Sequence, residues 1–497
     1  MKLKGILIAL LLAITIVQAQ DEQIQAIDNF ISKNFLEFKE IPSLSIAVIK
    51  DNKPFFIKSY GYSNFEDSIQ ATTQSSYYIA SVTKSFVGLL AAQLEHDGLL
   101  DLDRPITEFA PIKNFKNNSL FQNITITDLL SHTSGIYNNY YTWQFASIGD
   151  YTKDDLIRIL EDKTRSLENN KSYRYDNFGY NLLDLILSEE YGYYWKDLLE
   201  KKIFSPLKLS HTTAYLSKAK KENWDIAQPY TAINQDRLPR IASTRKNDQT
   251  FQAAGGMMMS IEDAQQWLLL HMNNGEINGK QIIPKTIIDK AQTSISAYER
   301  KGTIFNDTGY GLGWNNAKFE THKAIYHFGG FDGYFSHFSF LPEEKIGIVI
   351  LVNENHFGDN IANLLASYTY NLLLGNINID SDYSDHVNKV KDRVTSIQNG
   401  FAKDKEKRAK RQWTLMHDFK NYEGDYVNPY IGTLHIETYK NTLKANLGIS
   451  TAIASPSTSD DSIRVEFRDS RGRDILFISN EEGTVAAVYE GNVFYRK

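Results

Sequence analysis

The segment Ser81-Val82-Thr83-Lys84 decides how the sequence is interpreted, because it places a hydroxyl and an amine three residues apart. Residues at that spacing share one face of a helix. Apolar residues continue at helical spacing, at Val82, Phe86, Leu89, Leu90 and Leu94. Gly98 follows where a C-terminal cap is expected. The pattern predicts a buried helix that begins at Ser81, with Lys84 within reach of the serine.

This pair has the chemistry of an activated nucleophile. A desolvated amine has a lowered pKa and accepts the serine proton, and a helix N-terminus favours negative charge that develops nearby. The spacing alone is weak evidence, since Ser205, Ser217 and Ser243 also precede a lysine by three residues. At those three positions we expect a helix cap and a surface lysine.

Runs typical of β-strands lie on both sides of a helical middle region. The predicted strands are Leu44–Ile49, Phe55–Tyr60, Tyr310–Trp314, His327–Phe331, Ser336–Leu341 and Lys345–Asn353. The predicted helices are Asp28–Phe38, Ile124–Leu130, Phe178–Leu187, Ile261–Met272 and Asn360–Leu374. Strands at both ends of such a region predict an α+β domain, in which distant segments complete one antiparallel sheet flanked by helices.

The C-terminal part has a different pattern. Val390, Val394, Ile397 and Phe401 repeat at helical spacing, which predicts a connecting helix. Beyond Tyr422, short alternating runs separated by turn residues predict a small all-β module, either a barrel or a sandwich. We therefore predict a signal peptide at 1–19, an α+β domain at 20–375, a helical linker at 376–418 and an all-β domain at 419–497.

The N-terminus has the pattern of a secretory signal. Lys2 and Lys4 precede the apolar run Gly5–Val17, and small residues precede a predicted cut after Ala19. The run is too short to span a bilayer of about 30 Å. We expect an exported protein, periplasmic or secreted, with no stable membrane insertion after cleavage.

Composition excludes several kinds of chemistry. The 497 residues include 54 Lys and Arg against 60 Asp and Glu, a formal charge of −6, which argues against a nucleic-acid partner. There is no cysteine, so thiol nucleophiles and disulfides are excluded. No His-Glu-x-x-His pattern is present, and we expect neither a metal nor a cofactor.

Two further motifs follow Ser81 in order. Tyr175-Asp176-Asn177 lies directly before the helix predicted at Phe178, where a phenol and an amide would face a cleft. His327-Phe328-Gly329-Gly330 begins a predicted strand, and its glycines let a ligand approach the backbone. Each motif is weak by itself, so their order along the chain carries the argument.

With these motifs, residues 25–375 resemble the serine β-lactamase and penicillin-binding protein superfamily. The similar branch includes class C β-lactamases, D-Ala-D-Ala carboxypeptidases, D-aminopeptidases and related esterases. Supporting segments are Leu129–Gly135, Ser205–Leu209, Ala254–Ser260 and Tyr310–Trp314. The C-terminal module resembles the small barrel appended to some peptidases of this family. The resemblance implies a β-lactamase/transpeptidase-like fold with a mostly helical subdomain.

The resemblance also implies residue roles. Ser81 would be the nucleophile that forms an acyl-enzyme, and Lys84 its general base or proton relay. Tyr175 would pass a proton to the leaving group and activate water, a role that needs a cation such as Lys84 to stabilise phenolate. Asn177 would bind the substrate amide. The backbone N–H groups of Ser81 and Gly330 would form the oxyanion hole.

His327 departs from the β-lactamase pattern, in which lysine is common at this position. Histidine is mostly neutral at pH 7, which weakens recognition of a substrate carboxylate by a fixed cation. We therefore expect His327, Gly329 and Gly330 to bind substrate in an enzyme that cleaves peptide-like amides or esters. The alternatives are a class C-type β-lactamase and, from another class, a non-catalytic penicillin-binding or sensor protein.

The expected partner is a small molecule or peptide, and cell-wall fragments are among the candidates. The sequence does not determine the oligomeric state. We expect His132 to support its loop. Candidates for a wall of the pocket are Tyr137, Tyr140, Tyr141 and Trp143. The all-β module offers no evident catalytic residue, and it would restrict substrate size if it docks against the cleft.

Overall fold

The computed structural model describes residues 2–35, 38–110, 112–148, 152–164, 171–233, 238–244, 246–250, 252–376, 379–481 and 483–497. Met1, the first residue of the predicted signal segment, lies outside them. The described chain divides into a large α+β unit and a small all-β unit, as the sequence predicts.

An antiparallel sheet, with nine strands among the described residues, forms the centre of the large unit. In spatial order the strands are Ser296–Lys301, Asn306–Tyr310, Asn315–Phe319, His322–Phe331, Tyr334–Leu341, Ile346–Val352, Ser43–Lys50, Lys53–Asn64 and Ile69–Gln70. The early strand Ser43–Lys50 therefore pairs with the late strand Ile346–Val352. The prediction of one sheet completed by distant segments is confirmed.

The hairpin at the sheet centre follows from its residues. Ser43–Lys50 is an apolar run that is buried on both faces, as expected for a central strand. Asp51 and Asn52 have φ angles of 52° and 58°, a left-handed conformation that Asp and Asn tolerate. They form the two-residue turn that brings Lys50 opposite Lys53.

Helices cover both faces of the sheet. Leu44 and Ile46 belong to a core shared with the helices Lys2–Phe35 and Gly358–Leu374. Ala47 faces the other core, which contains Thr83–His96, called the Lys84 helix below, and Ile261–Met272. The other helices of this unit are Ile126–Leu130, Asn139–Ile148, Lys153–Lys163, Phe178–Tyr191, Trp195–Leu199, Ser205–Leu207, Leu216–Lys221 and Lys285–Gln292. Shorter paired strands are Ser76–Tyr78, Thr212–Thr213, Met258–Ser260, Tyr230–Thr231, Arg240–Ile241, Glu276–Ile277 and Lys280–Gln281.

The first helix differs from its prediction at both ends. It runs from Lys2 to Phe35, through the predicted cut after Ala19, and it ends three residues before Phe38. Ile27 and Ile31 are buried against the sheet. Within the described part of the chain, no helix combines the length and apolarity that crossing a membrane requires. Export and cleavage remain predictions.

The predicted strand Tyr310–Trp314 is wrong. Tyr310 ends one strand, and the residues from Gly311 to Trp314 turn the chain into Asn315–Phe319. Gly313 has a φ angle of 87°, and a Cβ atom there would lie 2.2 Å from the carbonyl oxygen of Lys84. Gly313 therefore serves a turn that packs tightly against the Lys84 helix.

The small unit is a nearly closed barrel. A helix, Ile379–Ala409, precedes it in the region predicted as a linker. Its strands, in spatial order, are Ser450–Ile453, Thr442–Leu447, Gly432–Tyr439, Gly424–Asn428, Asn492–Arg496, Gly483–Tyr489, Arg473–Asn480, Ser462–Val465 and Ser455–Pro456. The two edge strands follow each other in sequence, so the sheet curls almost onto itself. Between the alternatives of barrel and sandwich, the structure has the barrel.

The barrel packs on the helix Asn139–Ile148, called the Asn139 helix below. The Ile449 N–H donates to the Ile148 carbonyl at 2.9 Å, and the Ser450 hydroxyl donates to the Ser147 carbonyl at 2.7 Å. Asn492 donates to the hydroxyl of Tyr140 at 2.7 Å. The barrel thus braces a helix whose N-terminal residue lies in the candidate site.

Candidate active site

Ser81 lies in a short 3-10 turn, Ala80–Val82, immediately before the Lys84 helix. The predicted helix is therefore confirmed, but the serine precedes its α-helical part. Ala80 has a φ angle of 44°, an uncommon conformation for a residue with a Cβ atom. Such backbone positions cluster at functional sites. The side chain of Ser81 is half-buried and remains accessible.

Lys84 is fully buried beside Ser81. Its Nζ lies 3.2 Å from Ser81 Oγ, 2.7 Å from Asn177 Oδ1 and 2.5 Å from the Ala254 carbonyl oxygen. Burial lowers the pKa of Lys84 well below its ordinary value, and the nearby charge of Asp176 only partly opposes this. Among the described residues it forms no ion pair.

The three contacts of Lys84 fit a neutral amine. The two N–H bonds point to the oxygens of Asn177 and Ala254, which only accept hydrogen bonds. When Lys84 is the neutral amine, its nitrogen lone pair is left for the hydroxyl of Ser81. Because Asn181 Oδ1 accepts the Ala254 N–H at 3.1 Å, the Ala254 peptide is fixed in this orientation. The arrangement supplies a base for the serine proton.

Tyr175 completes this group. Its hydroxyl lies close enough to Ser81 for the serine to oppose part of its pKa shift, and Lys84 Nζ lies 5.0 Å from its ring centre. Burial nevertheless raises the pKa of Tyr175 well above 10. Stabilisation of a phenolate at Tyr175 by Lys84 remains a prediction. Tyr175 is a protonated phenol here.

His132 holds the segment that carries Tyr175. The Asp176 N–H donates to His132 Nδ1 at 3.2 Å, and the rings of His132 and Tyr175 have centres 4.4 Å apart. With Nδ1 accepting, the proton is on Nε2, which has no hydrogen-bond partner in the described part of the chain. Burial lowers the pKa of His132 well below 6.5, so it remains neutral. These contacts agree with the supporting role expected for it.

Asp176 is a buried carboxyl that the sequence did not single out for a role. Its Oδ1 accepts the Phe178 N–H at 3.2 Å, at the start of the following helix. Its Oδ2 has no hydrogen-bond partner among the described residues. Burial raises the pKa of Asp176 to about 7, although hydrogen bonds from the backbone and the charge of Lys84 oppose the shift.

Asn177 is oriented by Asn139, a residue that the sequence did not identify. Asn177 Nδ2 donates to Asn139 Oδ1 at 2.7 Å, and the Asn177 backbone N–H reaches the same oxygen at 3.3 Å. This fixes which atom of the Asn177 amide faces Lys84. No local pattern marks Asn139, because its partner lies 38 residues away.

His327 is buried and fully hydrogen-bonded within the protein. Its Nδ1 lies 2.7 Å from the Phe328 carbonyl oxygen, which requires a proton on Nδ1. Its Nε2 then accepts from the hydroxyl of Tyr310 at 3.1 Å. Burial lowers the pKa of His327 to about 3. His327 is thus a neutral group here, and its binding role remains a prediction.

The two glycines after His327 have different surroundings. A Cβ atom at Gly329 would lie 2.0 Å from the Ile79 carbonyl oxygen, so this glycine lets the strand approach the turn that carries Ser81. A Cβ atom at Gly330 would meet only the Phe335 ring, at 3.9 Å. Gly330 therefore borders open space at its Cα atom, while Gly329 serves protein packing. The oxyanion role of Gly330 remains a prediction.

A cleft of about 340 Å³ lies between the two units. Of the four aromatic wall candidates, Tyr137, Tyr140 and Trp143 line it, whereas Tyr141 does not. The barrel contributes the opposite wall. Among the described residues, no group of three or more His, Asp or Glu side chains is arranged to hold a metal ion.

Comparisons with known proteins agree with this geometry. A family model described as Beta-lactamase matches residues 31–368. Protein flp from Staphylococcus aureus (strain COL) is 26% identical over 335 residues, which cover 67% of this chain and 63% of that protein. The chain therefore spans less than two thirds of the length of these curated relatives.

Two solved structures share the fold. The octameric penicillin-binding protein homologue from Pyrococcus abyssi superposes with a TM-score of 0.62 and 24% identity, over 95% of this chain and 100% of that one. The D-amino acid amidase from Ochrobactrum anthropi SV3 gives a TM-score of 0.59 and 19% identity, over 71% of this chain and 98% of that one. At these identities the likeness establishes the architecture.

Proposed function

The chain belongs to the beta-lactamase family of serine hydrolases, and from this premise we propose that it is an exported enzyme that forms an acyl-enzyme on Ser81. It cleaves peptide-like amides, of the D-Ala carboxypeptidase or D-aminopeptidase type, or esters. The carrying observation is that Lys84 Nζ lies 3.2 Å from Ser81 Oγ, while the oxygens of Asn177 and Ala254 accept its N–H bonds.

In the acylation step, Ser81 Oγ attacks the substrate carbonyl carbon while its proton moves to Lys84 Nζ. The negative charge that develops on the carbonyl oxygen is bound by the N–H groups of Ser81 and Gly330. Losing one donor of this kind typically costs about 2.7 to 4 kcal/mol of transition-state stabilisation. Breakdown of the tetrahedral intermediate leaves the acyl group as an ester on Ser81.

The leaving group takes its proton from Tyr175. Because burial keeps the phenol protonated, Tyr175 is a proton donor at the start of the reaction. The ammonium of Lys84, formed in the attack, then returns a proton to Tyr175, and the net transfer is from Ser81 to the leaving group. In deacylation, water replaces the leaving group, and Lys84 again accepts the proton.

The neutral state of His327 favours amides and esters over the β-lactam reaction. A lysine at this position would offer a fixed cation to a substrate carboxylate, whereas His327 has a pKa of about 3 and both nitrogens bonded within the protein. The structural neighbour named D-amino acid amidase supports the amide proposal.

The test is a time course of intact mass after the mature protein is mixed with benzylpenicillin or a D-phenylalanine ester, with Ser81→Ala as the control. We expect an adduct or hydrolysis with the unaltered protein and neither with the variant. A short-lived penicillin adduct with product release would favour the β-lactamase alternative. If neither compound reacts, the non-catalytic alternative replaces the proposal.

A further inference from the structure

A loop of the barrel reaches across to the large unit. This segment, residues 466–472, is called the Arg468 loop. The Arg468 guanidinium donates to both carboxylate oxygens of Asp332, at 2.7 and 2.6 Å. The Ser243 N–H donates to Asp469 Oδ2 at 2.6 Å. These contacts fix the loop beside the end of the strand that carries Gly330.

The Arg468 loop and the strand that follows it contribute three arginines to the cleft between the two units. Arg468, Arg471 and Arg473 all line the cleft. The Arg471 N–H donates to the Arg468 carbonyl at 3.1 Å, and Ser470 has a left-handed φ angle of 59°. This tight turn places two guanidinium groups near each other, although like charges repel.

Two of the three arginines have a carboxylate partner and one does not. Arg468 pairs with Asp332, and Arg473 Nε lies 2.9 Å from Glu490 Oε1. The Arg471 guanidinium has no hydrogen bond or ion pair with the described residues and is exposed at the cleft mouth. The cleft therefore holds one positive charge that the surrounding carboxylates do not neutralise.

The cleft adjoins the group around Ser81. Asn139 lines the cleft and also accepts the hydrogen bonds of Asn177, which in turn contacts Lys84. On the other side, the ring of Trp143 lies 6.0 Å from that of Phe331, the residue after Gly330. The cleft is thus linked to the group around Ser81 through Asn139 and through the strand end that carries Gly330.

We propose that this cleft binds a carboxylate at the far end of the substrate's acyl group, with Arg471 as its cationic partner. The rings of Tyr140 and Trp143 pack against the chain that carries the carboxylate. The proposal rests on the proposed function and specifies its substrate class: acyl groups that end in a carboxylate. Guanidinium groups suit this task because they bind both carboxylate oxygens in one plane.

The test uses two probes that differ in one group. N-succinyl-D-phenylalanine p-nitroanilide ends in a carboxylate, and its N-succinamoyl counterpart ends in a carboxamide. Binding is measured calorimetrically with the full chain carrying Ser81→Ala, so that turnover is not needed. We expect about 10-fold tighter binding of the carboxylate probe at low salt, and a smaller preference at high salt.

Variants in the same background assign the preference to Arg471. Arg471→Met is expected to reduce the preference to within about twofold, and Arg471→Lys to retain part of it. Arg158→Met is the matched control, because it removes one arginine of the large unit that does not line the cleft, and we expect the full preference to remain.

Equal binding of the two probes, absence of binding by both, or a preference that survives Arg471→Met would each overturn the carboxylate site. These outcomes leave the acylation test of Ser81 unaffected. Conversely, a preference that depends on Arg471 in a protein whose Ser81 is never acylated would retain the carboxylate site and remove the proposed function.

Discussion

Lys84 and Arg468 are two basic side chains of the large unit and the barrel, and their surroundings differ in one respect, the presence of a carboxylate partner. Lys84 is buried against neutral oxygens, with no ion pair among the described residues, and its pKa is lowered by burial. Arg468 is bound by both oxygens of Asp332. Burial by itself raises the pKa of Asp332, but hydrogen bonds and charge from Arg468 lower it to about 2.

This difference in partners explains why one basic side chain is suited to catalysis and the other to holding the two units together. A buried amine without a paired carboxylate loses its proton easily and becomes a base. A buried guanidinium with a bidentate carboxylate keeps its charge and fixes one unit on the other. The presence of a carboxylate partner therefore distinguishes the structural Arg468 from the reactive Lys84.

Removing Lys84 is the strongest test of this comparison. Lys84→Met keeps an apolar stem of similar length and deletes the base, so we expect kcat/KM for a D-phenylalanine ester to fall about 10³-fold or more, roughly 4 kcal/mol. Lys196→Met is the control, because Lys196 is also a buried lysine that donates to a backbone carbonyl, that of Asp248. A Lys84→Met protein that keeps a tenth of the activity would place the base elsewhere.

Breaking the paired cation is expected to reduce stability. Arg468→Met leaves Asp332 buried without its partner, which costs about 3 kcal/mol in the free energy of unfolding. Arg473→Met removes the more exposed pair with Glu490 and should cost about 1 kcal/mol or less. Thermal unfolding of both variants measures the difference. Similar losses would mean that the Asp332 pair is not the main contact between the units.

Replacing Asp176 has the smallest expected effect and gives the most specific test. Its carboxyl is the one whose charge acts on the pKa of Lys84. Its pKa is raised to about 7, so its contribution to stability is complete below about pH 4 and is lost as pH rises through 7. Asp176→Asn keeps an oxygen for the Phe178 N–H. We expect its stability, relative to the unaltered protein, to increase by about 2 kcal/mol between pH 5 and pH 8.

The measurement is chemical denaturation at a series of pH values, with the exposed Asp67→Asn as the control. The compared quantity is the free energy of unfolding of Asp176→Asn and of the unaltered protein. If their difference does not change with pH, the Asp176 carboxyl has the same pKa in the folded and unfolded states. That result would also contradict the interpretation that an ionised carboxylate is unfavourable in the buried region around Lys84.

Most elements that follow from short-range patterns were predicted well. Ile261–Met272 has the bounds that its periodicity predicts, and Phe178–Tyr191 extends its predicted helix by one turn. The strand predicted at Tyr310–Trp314 failed, because Gly313 lies in a turn that packs closely against Lys84. That requirement comes from a residue more than 200 positions away and leaves no local signature.

The residues of the candidate site also fall into two groups, those that sequence patterns identified and those that only the folded chain shows. The sequence brought Ser81 and Lys84 together by helical spacing, and family resemblance added Tyr175, Asn177 and His327. It missed Asn139, whose contact with Asn177 is made by a separate helix. The sequence also did not show that Lys84 and Tyr175 are both buried, which shifts the pKa of each group.

The sequence by itself determined the reactive pair, the sheet built from both chain ends and the small β unit, because periodicity and turn chemistry act over a few residues. Only the tertiary structure decided the protonation of the reactive groups, since burial depends on segments that meet in space. It also decided the use of Arg468 and Arg471. In the sequence they belong to a polar turn of the barrel, and the folded chain places that turn at the cleft that Asn139 also lines.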